Sequence, residues 1–126
     1  MKLKTQAFEL KQSTEEIFAY LSSPKNHLPL LDHLVEDTEA KDQSLIYKLE
    51  HLGKIELNFE SSKNSLIQTS HNGLPVPISI HWIHEKSCIY CLAKVDTSPV
   101  VWAIAKSKIK IFLEEQLKEL QNIFSS

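Results

Sequence analysis

Four residues able to bind a metal or to carry redox chemistry lie within one segment of eleven residues. The segment HWIHEKSCIYC, residues 81–91, arranges them as H-x-x-H-x-x-x-C-x-x-C. Imidazole and thiolate are the usual ligands of structural zinc, and a C-x-x-C pair is the pattern of redox-active thiols. Whether the segment performs either chemistry depends on the secondary structure that carries it.

Helix and strand geometry give opposite arrangements of these four residues. On a helix, their 3-4-3 spacing would form one stripe about 15 Å long, which is too long for a single zinc ion. On strands, residues three apart face opposite sides, so His81 opposes His84 and Cys88 opposes Cys91. The Cα atoms of the two cysteines would then lie about 10 Å apart, beyond the reach of a disulfide.

Composition favours the strand arrangement. Isoleucine, tryptophan and tyrosine flank a polar EKS stretch, which is typical of a hairpin, and no helix start follows the C-x-x-C pair to lower a thiol pKa. A two-residue turn at Glu85-Lys86 pairs two apolar faces, whereas a three-residue turn places Trp82 opposite Tyr90; face matching favours the first. The sequence therefore predicts a hairpin without a metal, with Cys88 outside and these residues inside: Ile78, Ile80, Trp82, Ile89, Cys91, Ala93 and Val95.

The other histidines suggest a catalytic base, but none stands in a catalytic motif. His27, His51 and His71 lie in loop-like regions or near turns, where we expect surface positions. Asp32-His33 is either a polar pair at the mouth of a cavity or part of a turn before a strand. The chain contains no G-x-S-x-G elbow and no Gly-rich phosphate loop. We therefore predict no catalytic residue.

Charge and length exclude several classes of function. The chain has 126 residues, a formal net charge of −2 and fourteen basic residues, all of them lysine. Without arginine it lacks bidentate recognition of phosphate or guanine, which counts against a nucleic-acid partner. No apolar run reaches the roughly 18 residues of a membrane span, and the N-terminus lacks the apolar core of a signal peptide. We expect a single domain, residues 1–126, in the cytoplasm, with reduced cysteines and no cofactor.

Periodicity and capping predict the elements that position these residues. Residues 3–11 alternate as one strand. Ser13 and Glu16 form a capping box before a short helix that ends near Pro24, and the stretch PKNHLPLL adds one or two turns. Further strands are predicted in residues 33–40, 44–52, 54–61, 65–71, 78–84 and 88–95.

A long helix closes the chain. Ser98 is its cap and Pro99 its first residue, and apolar residues recur at helical spacing to about residue 124. The element order predicts an α+β, helix-grip fold: a curved antiparallel sheet of about six to seven strands wrapped around the C-terminal helix, with short helices after the first strand. Such a fold leaves space for an apolar ligand. The predicted lining residues are Leu31, Leu34, Tyr47, Leu57, Phe59, Ile80, Trp82, Trp102, Ala105, Ile109 and Phe112.

Four stretches carry a family resemblance: FELKQSTEEIFAYLSSP, LVEDTEAKDQSLIYKLEHLGKIELNFES, LPVPISIHWI and KVDTSPVVWAIAKSKIKIFLEEQLKEL. In strand spacing and helix caps they resemble the START-like (Bet v 1-like, SRPBCC) superfamily, and most of all a group of small uncharacterised bacterial START-like proteins. The resemblance implies a hydrophobic cavity under the C-terminal helix that holds lipids, sterols, polyketides or similar molecules. Some members of the superfamily are cyclases or hydrolases, and some bind a chaperone.

Three functions of different classes follow. The first, which we expect, is non-enzymatic binding or carriage of a small hydrophobic or amphipathic, lipid-like ligand between the C-terminal helix and the sheet. The second is a protein-interaction or chaperone-associated regulatory module with a filled core, which acts on a protein partner or a second copy. The third is a cyclase- or hydrolase-like enzyme, which requires a buried His, Asp or Glu close to a second polar group.

Overall fold

The computed structural model describes residues 1–49, 53–70 and 77–125. These residues form eight strands, three α-helices and one 3₁₀ turn. The α+β class, the short helices after the first strands and the long final helix are as predicted. In chain order the elements are β1 (Lys2–Lys4), β2 (Phe8–Glu9), α1 (Thr14–Leu21), the 3₁₀ turn (Pro24–His27), α2 (Leu28–Leu31), β3 (Glu39–Ala40), β4 (Ser44–Leu49), β5 (Gly53–Ser61), β6 (Ser65–Ser70), β7 (Ile78–Glu85), β8 (Cys88–Val95) and α3 (Pro99–Ser125).

The strands make one curved antiparallel sheet in the order β1-β8-β7-β6-β5-β4-β3, and β2 also pairs with β8. Strands β3 to β8 follow one another as a meander, whereas β1 and β2 lie beside the last strand. The core lies between the inner face of this sheet, the short helices and α3. The helix-grip architecture predicted from the sequence is therefore confirmed.

The first predicted strand, residues 3–11, is two strands with a bulge between them. The pairing with β8 slips by one residue between Leu3 and Phe8, as an inserted residue requires. Thr5 bridges the gap, because its backbone N donates to the Cys91 oxygen and its Oγ1 accepts from the Cys91 N, both at 3.0 Å. A hydroxyl thus replaces one backbone partner in the ladder, and Thr5 is buried.

Helix α1 begins and ends where its caps predict. The backbone N of Glu16 donates to Oγ of Ser13 at 3.2 Å, which satisfies one of the free donors of the first turn. The helix ends at Leu21, and Pro24 opens the 3₁₀ turn that leads into α2. The predicted extra turns before residue 33 are therefore present.

The strand predicted over residues 33–40 is wrong for most of its length, because only Glu39–Ala40 pairs with β4. The backbone N of Leu34 donates to the Leu31 oxygen at 2.9 Å, so the chain continues as a helical turn beyond α2. Asp37 then has a φ of 56°, a left-handed backbone that interrupts an extended strand. Apolar and polar residues therefore alternate in HLVEDTEA although most of this stretch is not a strand.

The central strands match their predicted faces. Ile55, Leu57 and Phe59 of β5 are all buried toward the core, as their alternation indicates. The ends of two predicted strands, at residues 50–52 and at residue 71, lie outside the described residues, and so do His51 and His71.

The β7–β8 hairpin has the predicted faces and a different turn. Trp82 pairs with Cys91, and both are buried. The turn is Lys86-Ser87, one residue later than predicted, because β7 continues through Glu85, which pairs with Cys88. The two turn residues have φ values of 53° and 60°, the backbone that matches the twist of the flanking strands.

Helix α3 begins at Pro99, as predicted, and runs to Ser125. The backbone N of Val101 donates to Oγ of Ser98 at 3.2 Å, which confirms Ser98 as the cap. No described helix is long and apolar enough to cross a membrane. The face of α3 turned to the core carries Ala105, Ile109, Phe112, Leu113, Gln116, Leu117 and Leu120.

Candidate functional site

The eleven residues predicted to line a ligand site lie in or against one apolar core. Nine are buried there, and Leu34 and Trp102 are partly buried against it. The rings of Tyr47 on β4 and Phe112 on α3 meet with centroids 5.4 Å apart. The predicted residues are thus in one region, and their contact with a ligand stays a prediction. The nine buried residues are Leu31, Tyr47, Leu57, Phe59, Ile80, Trp82, Ala105, Ile109 and Phe112.

His27 is a core residue, so its predicted surface position is wrong. It is fully buried, and its ring meets those of Phe59 and Trp82 edge-on, with centroids 4.8 Å and 5.6 Å away. The reason is the 3₁₀ turn, in which residues three apart lie on one side. Pro24 and His27 of the 3₁₀ turn and Leu30 of α2 follow this spacing and are all buried. That repeat is the sequence signal that identifies the histidine as inward-facing.

One tautomer of His27 fits its surroundings. Nε2 lies 2.8 Å from the backbone oxygen of Leu21, and a carbonyl oxygen only accepts, so Nε2 carries the proton. Nδ1 is then an unprotonated acceptor, and among the described residues it is the one buried side-chain N or O without a hydrogen-bond partner. Burial lowers the pKa of His27 to about 4, while the Leu21 carbonyl opposes that shift. The ring is therefore neutral at pH 7.

A second polar pair lies on the inner face of the sheet. Nε1 of Trp82 donates to Oε1 of Gln68 at 2.7 Å, and both residues are buried. Gln68 pairs with Phe59 on β5 and with Ile80 on β7, so it stands in the middle of the sheet. It was not among the predicted site residues, although its two-residue spacing from buried Leu66 is the signal that places it inside.

The other titratable groups of this core are neutral as well. Burial raises the pKa of the Tyr47 hydroxyl, with a smaller contribution from Cys91, and burial raises the pKa of the Cys91 thiol well above its usual range. The core therefore offers hydrogen bonds but no formal charge at neutral pH. In the described part of the chain the buried polar side chains, none of them an acid or a lysine, are Thr5, His27, Ser44, Gln68 and Gln116.

The histidines and cysteines of HWIHEKSCIYC divide between the two faces of the sheet. Cys91 is buried, and His84 lies on the same inner side, whereas His81 and Cys88 lie on the outer side. Both cysteines are free thiols. Within residues 1–49, 53–70 and 77–125, no group of three or more His, Cys, Asp or Glu is placed to hold a metal ion.

His84 joins the end of β7 to the start of α1. Its Nε2 lies 2.8 Å from the Leu10 backbone oxygen, and its Nδ1 lies 2.8 Å from Oγ1 of Thr14. The carbonyl again fixes Nε2 as the donor in the neutral ring, so Nδ1 accepts from the Thr14 hydroxyl. Both nitrogens are thus used in contacts within the fold.

Asp32 and His33 border an open surface groove of about 600 Å³. Both side chains are exposed, so they do not face the buried core. Leu34 is the one predicted lining residue that also borders this groove. The groove and the buried core are therefore separate candidate regions, and the buried unsatisfied nitrogen of His27 belongs to the core.

No family model and no curated protein matches the chain, but solved structures match it over nearly its whole length. The solution structure of the KanY protein has a TM-score of 0.75 at 11% identity, covering 100% of this chain and 98% of that one. A hypothetical protein from Sulfolobus tokodaii has a TM-score of 0.70 at 8% identity, covering 98% and 93%. The Aha1 dimer from Colwellia psychrerythraea has a TM-score of 0.58 at 12% identity, covering 96% of each chain.

The chain shares the fold of these proteins. The likeness is consistent with the START-like, Bet v 1-like architecture that the sequence indicated. At identities this low it shows the fold alone, because one fold hosts many unrelated functions. Function has to be argued from the site.

Proposed function

We propose that the protein binds a small, mostly apolar molecule between α3 and the inner face of the sheet, without transforming it. The observation that carries the proposal is Nδ1 of His27, a buried acceptor with no partner among the described residues. It belongs to a ring packed against Phe59 and Trp82. Small-molecule sites are mostly apolar and contain a few placed polar groups that orient the ligand, and this region has that composition.

The apolar side chains around His27 supply the binding energy in this proposal. These side chains are already buried, so the gain comes from the apolar surface of the ligand, which is worth about 25 cal/mol per Å² removed from water. The Trp82 ring is held by its hydrogen bond to Gln68, and Tyr47 and Phe112 contact each other across the core.

A titration of a single-tryptophan variant tests the proposal. The chain has two tryptophans, and Trp102→Phe leaves Trp82, whose ring centroid lies 5.6 Å from that of His27, as the reporter. We expect a saturable change in its emission when 1-octanol is added. The matched variant Trp82→Phe reports from partly buried Trp102 and should respond less. An emission that stays unchanged up to the solubility limit of 1-octanol contradicts the proposal.

We also propose a relationship to the small bacterial START-like proteins and a cytoplasmic location. The four stretches of resemblance support the first. Two unpaired thiols, Cys88 and Cys91, support the second, because a reducing compartment keeps thiols free. Thiol labelling of the protein in intact cells tests this location. A cytoplasmic protein should have both cysteines reduced.

A second candidate function is self-association through the outer face of α3. Val100, Ile104 and Ile111 are 72%, 52% and 59% exposed, and at 3.6 residues per turn they lie within about 40° of one another around the helix. We call these three residues the outer stripe. The likeness to the Aha1 dimer favours a second copy as its occupant. The catalytic alternative has less support, because the hydrogen bond of buried His27 goes to a backbone carbonyl.

A further inference from the structure

The polar centre of the proposed site restricts the class of ligand. We infer that the ligand is electrically neutral and donates a hydrogen bond from an O–H or N–H group to Nδ1 of His27. Alcohols, phenols and N–H heterocycles meet this description, whereas carboxylates and phosphates do not. The inference rests on the proposed function and adds the chemistry of the ligand to it.

The orientation of the His27 ring leaves Nδ1 as an acceptor. Nε2 donates its proton to the Leu21 carbonyl at 2.8 Å, and flipping the ring would put a carbon in its place and lose that bond. The rings of Phe59 and Trp82 pack against the imidazole at interplanar angles of 74° and 89°, which restricts its rotation. A donor group is therefore what satisfies this nitrogen.

Nδ1 of His27 has almost no accessible surface, so the donor of a water or of a ligand reaches it only when the side chains around it move apart. Internal waters usually make about three hydrogen bonds. Of the two rings that meet His27, Phe59 has no polar atom, and Trp82 already donates its single N–H to Gln68 at 2.7 Å. Neither ring offers a water the second and third partners it needs. A molecule with one donor and an apolar body matches these surroundings better.

The charge of the core argues against an anionic ligand. A buried anion needs a cation or several donors to offset the loss of its hydration. The chain has no arginine, and no lysine of the described residues is buried. An anion at this place would also face the lone pair of Nδ1. A fatty acid would therefore bind only in its protonated form, whereas an alcohol is already neutral and binds without a change of protonation.

Two matched pairs of probes test the inference. Indole and indene have the same shape, with an N–H in one and a CH₂ in the other, and 1-octanol and octanoate differ in the charge of one end. In protein labelled with ¹⁵N-histidine at pH 7.5, we expect the Nδ1 resonance of His27 to move upfield with indole and 1-octanol, but not with indene. Indole and 1-octanol should also bind at least about tenfold more tightly than indene and octanoate respectively.

The outcomes separate this inference from the proposed function. Equal affinities for indole and indene, with no movement of the Nδ1 resonance, would overturn the inference and leave the proposed function standing. Failure of all four probes to bind would overturn both. An Nδ1 resonance that is already at a hydrogen-bonded position in the ligand-free protein would reveal an existing donor, and it would overturn both the inference and the observation that carries the proposed function.

A pair of variants tests whether the preference for indole over indene depends on Nδ1 of His27. His27→Phe keeps an aromatic ring and removes the acceptor, so indole should lose its advantage over indene. His33→Phe makes the same change at an exposed position, and there the advantage should persist. Should His27→Phe fail to fold, the Nδ1 resonance of the unmodified protein still decides the question. An indole advantage that survives in folded His27→Phe contradicts the inference.

Discussion

The indole of Trp82 and the amide of Gln68 are joined by a 2.7 Å hydrogen bond inside the core. They lie on neighbouring strands, β7 and β6, and both side chains point to the inner face of the sheet. The bond gives the N–H of a large aromatic residue a partner, which a buried tryptophan normally requires. The indole and the His27 imidazole pack in a T-shaped arrangement, and because the single N–H of Trp82 is used by Gln68, it does not donate to the unsatisfied Nδ1.

Replacing Gln68 should show how much this hydrogen bond contributes to the stability of the fold. We expect Gln68→Leu to lower the free energy of unfolding by about 1–3 kcal/mol, because the N–H of Trp82 loses its acceptor in a buried place. The double variant with Trp82→Phe should be destabilised by less than the sum of the two single changes. Urea unfolding followed by circular dichroism measures all three. Strict additivity of the two changes would contradict the account.

His27 should make stability depend on pH in a defined window. Its pKa is about 4 in the folded protein and 6.5 when unperturbed, so between these values the unfolded chain binds a proton that the folded protein does not. Stability therefore falls as the pH falls from 6.5 to 4 and is independent of this group above that window. The gap between the two pKa values corresponds to about 3 kcal/mol.

Urea unfolding at several pH values between 4 and 7 measures this dependence. Carboxylates also titrate near the lower end of the window, so the comparison with His27→Phe isolates the histidine. The slope with pH should be shallower in the variant. If the two proteins have the same slope, His27 is not a buried neutral base.

Residues that favour positive φ should stabilise the turn at Lys86-Ser87. Both positions have positive φ, a backbone that costs L-residues about 1–2 kcal/mol and that Asn-Gly adopts readily. We expect the replacement of Lys86 by Asn and Ser87 by Gly to raise the free energy of unfolding by about 1 kcal/mol. As a control, Ser79→Gly within β7 should lower it by about 0.5–1 kcal/mol. A loss of stability in the turn variant would contradict the positive-φ geometry.

The outer stripe should be dispensable for folding. Ile104 is half-exposed on α3, so Ile104→Lys should change the free energy of unfolding by no more than about 0.5 kcal/mol. If self-association is a function, the same variant is monomeric where the unmodified protein dimerises. Light scattering after size-exclusion chromatography measures this, with Ser61→Lys, at an exposed position on β5, as the control. An unmodified protein that is monomeric at all concentrations rules out the second candidate.

Local patterns predict most of this fold, because local physics determines them. The Ser98 cap and Pro99 locate the start of α3, and the alternation of Ile55, Leu57 and Phe59 identifies the inner face of β5. Matching of apolar faces also predicts that Trp82 and Cys91 point inward, whatever residues form the turn.

Tertiary contacts determine the parts that the sequence does not predict. His27 and Gln68 are polar residues, and polarity alone favours the surface. Their spacing from buried neighbours points inward, but the partner that satisfies each one there, the Leu21 carbonyl or the Trp82 indole, is a tertiary contact. The stretch HLVEDTEA alternates like a strand, yet Leu34 continues a helical turn. A pattern of polarity does not reveal which backbone partner is within reach.

A crystal structure of the protein with 1-octanol tests the central claim most directly. The account predicts density between α3 and the sheet, with the alcohol oxygen about 2.8 Å from Nδ1 of His27 and the alkyl chain against Phe59 and Trp82. An alcohol found in the groove lined by Asp32 and Lys48, with Nδ1 still without a donor, would contradict it.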